Sequence, residues 1–128
     1  MPVLELNHVT VRAGDMEGTR DFYVRVLGMS VGPRPDLGFP GYWLYCGGKA
    51  AVHLVPESGQ LGAGGSPDTG NFDHIAFLGG DFDEFRRHLG ALGITFRENA
   101  PPNAALRQLF FRDPNDVMLE INFPTRPA

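Results

Sequence analysis

The sequence predicts an α+β protein made of two similar halves, each containing a strand, a helix and two or three further strands. Two repeats carry this prediction. The pattern NHVTV at 7–11 returns as DHIAF at 73–77. The hairpin pattern YWLYCGGKAAVHLV at 42–55 aligns without a gap with LFFRDPNDVMLEIN at 109–122. Because a repeated pattern indicates a repeated supersecondary unit, we expect two modules in one domain.

A short amphipathic helix is predicted after the first strand of each half. Asp15 and Asp81 stand at the two helix starts, and Asp81 and Glu84 have the spacing of a capping box. Gly28 and Gly93 fit the position just past each helix end. Apolar residues at helical spacing predict the sides that pack on the sheets: Phe22, Tyr23, Val26 and Leu27 in the first helix, and Phe82, Phe85, Leu89 and Leu92 in the second.

The boundaries of the modules follow from the turns and the composition. Residues of turn type join the strand pairs, as Gly47-Gly48 in the first half and Pro114-Asn115-Asp116 in the second. The segment 56–71 is rich in Gly, Ser and Pro and is typical of a linker. We therefore expect one domain over 1–128, with modules at about 3–55 and about 72–123.

Composition limits the partners of the protein. The chain of 128 residues has a formal net charge of −4 and a pI of about 5.4, and its Lys and Arg residues are scattered, which argues against nucleic acid and membrane surfaces as partners. The sequence shows neither a signal-peptide pattern nor a long apolar run. Cys46 is the single cysteine, so a reduced, cytoplasmic location is expected.

Four metal-competent side chains occupy equivalent places in the repeat. Side chains alternate between the two faces of a strand, so His8 lies opposite Val9 and Val11, which suit packing against a helix. In each of the other three strands, one metal-competent side chain likewise lies on the face opposite its apolar neighbours. If a pseudo-twofold axis relates the halves, these side chains can converge on one cavity. The four residues are His8, His53, His74 and Glu120.

The chemistry of this set favours a divalent transition metal. Three imidazoles and a carboxylate suit Zn, Ni, Co, Mn or Fe(II) and match poorly to Ca or Mg, which prefer oxygen ligands. Glu120 lies in an apolar strand, where a carboxylate needs water, a cation or a hydrogen-bond donor. The remaining histidine, His88, lies beside two arginines on the polar side of the second helix and is expected to be solvated.

These motifs resemble the vicinal oxygen chelate superfamily, which includes glyoxalase I, extradiol dioxygenases and bleomycin-binding proteins. The resemblance rests on NHVTV, on DFYVRVLGM at 21–29, on DHIAF and on FFRDPNDVMLEIN, and the sequence is most similar to short glyoxalase-I-like proteins. It implies two paired βαβββ modules whose mixed sheet is cupped around a metal, with the helices on the outer face. It also implies that His8, His53, His74 and Glu120 hold the four ligand positions.

The same resemblance suggests how a substrate is bound. Arg12 matches an arginine that glyoxalase I uses on the glutathione carboxylate, but the usual asparagine partner falls at Glu57, whose charge would repel that carboxylate. His53 replaces the glutamate usual in bacterial glyoxalase I and changes the charge at the metal. Thr10 shares the face of His8, and Trp43 belongs to the aromatic residues that can line a cleft. We take Arg12, Thr10 and Trp43 as candidate substrate-binding residues.

Three functions compete at this stage. The first is a glyoxalase-type lyase or isomerase, in which Glu120 moves a proton next to a carbonyl of a small metal-chelated substrate. The second is an Fe(II) extradiol-type dioxygenase that uses His8, His74 and Glu120, with His53 as a nearby acid or base. The third is a non-enzymatic drug-binding or metabolite-binding resistance protein. A homodimer is the expected assembly, and pairing of the modules within one chain fits the sequence equally well.

Overall fold

The computed structural model describes residues 5–56, 74–101 and 105–125. The chain divides into two compact units, Met1–Gly64 and Gly65–Ala128. The expected linker begins at Pro56, which is the last residue of a strand, and the rest of it lies outside the described residues. No helix within the described ranges is long and apolar enough to cross a membrane.

The first unit contains a mixed four-stranded sheet and one helix. Its sheet has the order β1-β4-β3-β2, with β1 parallel to β4 and the other two pairings antiparallel. This βαβββ arrangement confirms the predicted module. Its elements are β1 Val9–Ala13, α1 Met16–Leu27, β2 Ser30–Gly32, β3 Tyr42–Cys46 and β4 Lys49–Pro56.

The second unit repeats this topology. Its sheet has the order β5-β8-β7-β6, with β5 parallel to β8. The repeat of the sequence is therefore a repeat of the fold, as predicted. Its elements are β5 His74–Leu78, α2 Phe82–Ala91, β6 Arg97–Asn99, β7 Leu106–Arg112 and β8 Met118–Pro124.

Both helices begin where the sequence predicts, and α1 also ends where it predicts, whereas α2 ends at Ala91 and has Leu92, not Gly93, as its C-cap. The side chain of Asp15 accepts a hydrogen bond from Gly18 N at 2.9 Å, and that of Asp81 accepts one from Glu84 N at 2.9 Å. α1 ends at Leu27 and is capped by Gly28, whose left-handed φ of 74° lets the backbone N of Gly28 donate to Val24 O and that of Met29 donate to Tyr23 O. The local sequence thus defines the position of each helix along the chain before any packing is considered.

Each helix covers one face of its own sheet and leaves the other face uncovered by that helix. In the first unit the covered face buries Tyr23 and Val26 of α1 against strand residues such as Leu44 and Leu54. In the second unit the apolar residues of β8 that alternate with Glu120 are buried, and Phe82 and Phe85 pack on Phe123. The side chains predicted as metal ligands alternate with these buried residues and therefore belong to the opposite faces.

Two hairpins set the register of the inner strands. Gly47 and Gly48 have φ of 59° and 79°, which a two-residue turn of this hand requires. In the β7–β8 turn, the buried carboxylate oxygen Oδ1 of Asp113 accepts hydrogen bonds from the backbone N of Asn115 at 2.7 Å and of Val117 at 2.9 Å. These contacts fix which residue of β7 lies opposite Glu120.

Candidate metal-ligand pairs in each half

The first pair of candidate ligands is a stack of rings. The ring of His53 lies parallel to that of His8, with centroids 3.8 Å apart, and parallel to that of Trp43, with centroids 4.2 Å apart. The contact of Trp43 with His53 follows from strand register, because Trp43 is the Cα partner of His53 on β3. The half-buried His53 therefore lies between two rings, whereas His8 is exposed.

His8 lies just before β1, not inside it. The sequence predicts a strand over 7–11, but pairing with β4 begins at Val9, opposite Val52. The segment that carries His8 is instead held by Lys49, whose Nζ donates to the carbonyl oxygen of Leu6 at 2.5 Å and lies 3.2 Å from a carboxylate oxygen of Glu5. The side chain of His8 thus depends on contacts outside the sheet ladder for its position.

Hydrogen bonds select the ring nitrogen that each histidine can offer to a metal. His8 Nδ1 donates to Asn7 Oδ1 at 2.7 Å, so the lone pair of His8 is on Nε2. His53 Nε2 donates to the carbonyl oxygen of Ala50 at 3.2 Å, so the lone pair of His53 is on Nδ1. Donation by the other ring nitrogen is the usual way that proteins orient a metal-binding imidazole.

The surroundings of His53 favour its neutral form. Partial burial, and then the positive charges of His8 and Arg34, lower the pKa of His53, and its hydrogen bond to Ala50 only partly offsets them. Since an imidazole must be neutral to bind a metal, this shift keeps His53 competent as a ligand at neutral pH.

The second pair of candidate ligands is an ion pair. His74 Nε2 lies 3.0 Å from Glu120 Oε1. The carboxylate of Glu120 is buried, with 11% of the side chain exposed, while His74 is 38% exposed. The two residues lie on neighbouring strands, because His74 pairs with Met118 and Ala76 pairs with Glu120. A carboxylate in this apolar strand is predicted to need water, a cation or a hydrogen-bond donor, and His74 of the same half supplies the donor.

Gln108 is a further residue of this site that sequence reasoning missed. Its Nε2 donates to Glu120 Oε2 at 3.0 Å and to Asn122 Oδ1 at 3.1 Å, and its Oε1 accepts from Asn99 Nδ2 at 2.8 Å. Its position follows from the register of the hairpin, where Gln108 lies opposite Asn122, on the same face as Glu120 and two residue pairs away from it. Gln108 therefore fixes the orientation of the Glu120 carboxylate.

The candidate substrate-binding residues lie on β1 and β3. Arg12 is half-buried on β1, Thr10 is exposed beside it, and Trp43 covers the ring of His53. Glu57, which is predicted to repel a glutathione carboxylate, lies outside the described residues.

The four candidate ligands thus form two pairs, one in each half. His8 contacts His53, and His74 contacts Glu120. Neither half alone, in the part of the chain that the structure describes, contains a group of three His, Cys, Asp or Glu side chains suited to a metal.

A repeated βαβββ unit with a pair of metal-competent side chains on the uncovered face of each sheet defines a recognisable class of proteins. The sequence matches the family model of the Glyoxalase/Bleomycin resistance protein/Dioxygenase superfamily over residues 5–121. The chain belongs to this superfamily, which confirms the resemblance predicted from its motifs.

Relatives of known name support the same assignment. A protein named Glyoxylase I 4, from Arabidopsis thaliana, is 31% identical over 121 residues, which cover 91% of this chain and 68% of that protein. The crystal structure of a glyoxalase family protein from Bacillus anthracis superposes with a TM-score of 0.77 at 26% identity, and covers 98% of both chains.

Two further solved structures share the fold. Lactoylglutathione lyase from Agrobacterium tumefaciens has a TM-score of 0.75 at 22% identity and covers 95% of each chain. The fosfomycin resistance protein FosX from Listeria monocytogenes, solved as a mutant with Mn(II) and 1S,2S-dihydroxypropylphosphonic acid, has a TM-score of 0.75 at 18% identity and covers 97% of this chain and 95% of that one.

Proposed function

We propose that the protein is a metal-dependent lyase or isomerase of glyoxalase type, which moves a proton next to a carbonyl group of a small molecule. The observation that carries this proposal is the buried Glu120 carboxylate, which contacts His74 through one oxygen and Gln108 through the other. A buried carboxylate that is oriented in this way can act both as a metal ligand and as a base. Membership of a superfamily that includes glyoxalases supports the proposal.

The residues present fit a divalent transition metal. His8, His53, His74 and Glu120 are the residues that would hold it, and they supply the imidazole and carboxylate donors that Zn, Ni, Co, Mn and Fe(II) accept. The hydrogen bonds of His8 and His53 leave one lone pair on each ring. His74 and Glu120, two of these four candidate ligands, lie 3.0 Å apart. Such an ion would act as a Lewis acid toward two vicinal oxygens of the substrate.

The chain itself supplies the proton transfer and the substrate contacts. Oε1 of Glu120 takes the proton from the carbon next to the carbonyl group of the substrate and returns it to the neighbouring carbon. Gln108 meanwhile keeps Oε2 of Glu120 in place. Arg12 and Thr10 are proposed to bind polar groups of the substrate, and Trp43 to contact its apolar part. Assembly as a homodimer and a cytoplasmic location stay predictions.

The first test is the metal content of protein purified without added metal or chelator, measured by elemental mass spectrometry. About one equivalent of Ni, Co, Zn or Mn is expected in the wild type, with a large loss in His8→Ala and in Glu120→Gln. His88→Ala is the matched control, because His88 is an exposed helix residue outside the candidate set. Absence of metal, even after reconstitution, would refute the proposal.

The second test follows the proton. S-lactoylglutathione, the compound in the name of the Agrobacterium relative, is incubated in D2O with reconstituted protein, and NMR measures deuterium at its α-carbon. Lactoyl thioesters of smaller thiols are tested in parallel, because the charge of Glu57 argues against glutathione. Exchange that is lost in Glu120→Gln would support the proposal, and no exchange in any thioester would contradict it.

One observation favours a second candidate, an Fe(II) extradiol-type dioxygenase. His53 lies between two rings with Nε2 bonded to the backbone, which suits a residue that stands beside a metal as an acid or base. His8, His74 and Glu120 would then be the ligands. Iron as the bound metal, together with oxygen consumption in the presence of a catechol, would favour this candidate over the first.

A further inference from the structure

The second half contains a cavity that the proposed function does not use. Its volume is about 540 Å³, within the range of small-molecule sites. It lies between the segment that leads from α2 into β6 and the adjoining ends of β7 and β8. Its lining residues are Gly93, Ile94, Thr95, Phe96, Arg97, Phe110, Phe111, Arg112 and Met118. All of them belong to the second unit.

The wall of this cavity is mainly apolar, and its polar side chains are Thr95 and two arginines. Arg97 lies over the ring of Phe110, with its Cζ atom 4.4 Å from the ring centroid. Arg112 Nη1 donates to the carbonyl oxygen of Asp116 at 2.9 Å, and its Nε lies 3.9 Å from a carboxylate oxygen of the same residue. Both side chains are exposed, and each guanidinium has five N–H donors, so both retain donors for a ligand.

The charge of Arg97 is not neutralised by its neighbours. Arg97 makes no ion pair within the described ranges of the chain. The adjacent carboxylate, that of Glu98, lies on the opposite side of β6, where it faces Arg86 at 3.2 Å and Arg107 at 3.9 Å. An unpaired cation over an aromatic ring, at the edge of a mainly apolar cavity, attracts an anion.

The cavity continues the face that carries Glu120. Arg97 is the Cα partner of Phe110, and Phe110 is the Cα partner of Glu120, so all three lie in one row across neighbouring strands. Arg112 lies opposite Met118, in the next row of the same face. Because strands are about 4.8 Å apart, the Cα atoms of Arg97 and Glu120 are about 10 Å apart.

We propose that this cavity binds an aromatic carboxylate, with the ring against Phe110 and Met118 and the carboxylate on Arg97 and Arg112. A planar carboxylate matches the fork of a guanidinium in two parallel hydrogen bonds. The apolar residues of the wall accept a ring, and no acidic residue lines it; the nearby carboxylate of Asp116 lies 3.9 Å from Arg112 Nε. Provided that the proposed function holds, the same geometry assigns the substrate class, namely compounds that react beside Glu120 and carry an aromatic carboxylate group on the Arg97 side.

The test uses chelator-treated full-length protein, so that metal plays no part in the result. Phenylacetate and its neutral analogue phenylacetamide are titrated into ¹⁵N-labelled protein, and amide shifts report the affinity and the position of binding. We expect saturable shifts with phenylacetate at 93–97, 110–112 and 118, and affinity weaker by about tenfold for phenylacetamide, since hydrogen bonds to a charged group are the stronger kind.

Variants identify the groups that bind the anion. Arg97→Gln and Arg112→Gln are each expected to weaken phenylacetate binding by about tenfold, while Arg97→Lys, which keeps the charge, retains part of the affinity. Arg87→Gln is the matched control, because Arg87 is an exposed residue of α2 that does not line the cavity. It removes the same charge and is expected to bind as the wild type does.

Several outcomes would overturn the proposal. They are equal affinity for phenylacetate and phenylacetamide, amide shifts centred outside the cavity, or no saturable shift in the millimolar range. Phenylacetate affinity that is unchanged in both cavity variants, or reduced as much in Arg87→Gln as in them, would also overturn it. Failure of the proposed function gives a different pattern. In that case the protein lacks metal or proton exchange, while phenylacetate still binds the chelator-treated protein and Arg97→Gln still weakens it.

Discussion

Replacement of Gln108 by Leu tests whether this residue stabilises the Glu120 carboxylate. The side chain of Glu120 is 11% exposed, so water can replace the lost donor only poorly. A hydrogen bond to a charged group contributes about 1.5–3 kcal/mol, and a buried acceptor left unsatisfied costs a similar amount. The contact of Gln108 with Asn99 is exposed and adds little, and the part-buried contact with Asn122 is lost whether or not position 120 carries a charge. We expect Gln108→Leu to lower the free energy of unfolding by about 2 kcal/mol.

The same substitution in a Glu120→Gln background separates this contact from other effects of Leu. Without the negative charge, the lost hydrogen bond is a neutral one and contributes about 1 kcal/mol. The coupling energy between positions 108 and 120 is therefore expected to be about 1 kcal/mol. Asn99→Ala is the control, because it removes the outer contact of Gln108 at an exposed residue and is expected to cost less than about 0.5 kcal/mol.

Urea unfolding of chelator-treated protein, followed by far-UV circular dichroism, measures these free energies. Trp43 is the single tryptophan and lies in the first half, so its fluorescence shows whether that half unfolds in the same transition. A coupling energy below about 0.5 kcal/mol would refute the assignment of Gln108 to Glu120. So would a cost of Asn99→Ala equal to that of Gln108→Leu.

Three further predictions follow from single contacts. In metal-free protein, Trp43 fluorescence is expected to be quenched as His53 protonates, with a midpoint below pH 6.5. His8→Ala is expected to raise that midpoint, because it removes a positive charge beside His53. A midpoint unchanged in His8→Ala would contradict this prediction. Asp15→Ala is expected to cost about 1 kcal/mol in thermal unfolding, since it removes the N-cap of α1, and a loss below about 0.3 kcal/mol would argue against that role. Asp113→Ala is expected to cost about 2 kcal/mol by urea unfolding, because one buried and one part-buried amide hydrogen bond lose their acceptor. A loss matching that of Asp116→Asn, which changes an exposed residue of the same turn and tolerates its φ of 70°, would contradict it.

Much of the fold could be predicted because its signals are local. Aspartate at each helix start and glycine just past the helix ends specify where α1 and α2 lie, and turn residues specify the hairpins. Alternation along each strand correctly separated buried residues such as Val52 and Leu119 from His53 on the other face. These patterns need only nearest neighbours along the chain, and therefore they can be read from the sequence.

The detail of the site depends on register and on hydrogen-bonding partners, which the pattern does not contain. Gln108 has no distinguishing sequence feature, and its role arises only when β7 pairs with β8 in one register. The tether of the segment before β1 by Lys49 joins residues far apart in the chain, so the position of His8 outside the strand could not be predicted. The same holds for Arg97, whose position over Phe110 requires the pairing of β6 with β7.

His53 is the residue whose role most affects the chemistry. Its Nε2 donates to Ala50, so binding to a metal must use Nδ1 or must first break that hydrogen bond. The hydrogen bond restrains the ring, and stacking on Trp43 and His8 restrains it further. In a four-ligand site His53 would be a neutral ligand, and the metal would have to bind the ring in this restrained orientation. In a three-ligand site of His8, His74 and Glu120, His53 would be free to exchange a proton. The lowered pKa of His53 is compatible with both roles, because a neutral imidazole can serve as a ligand or as a base. Under the proposed function, the choice between a proton-transfer enzyme and an oxygenase therefore depends on whether His53 would bind the metal or stand beside it.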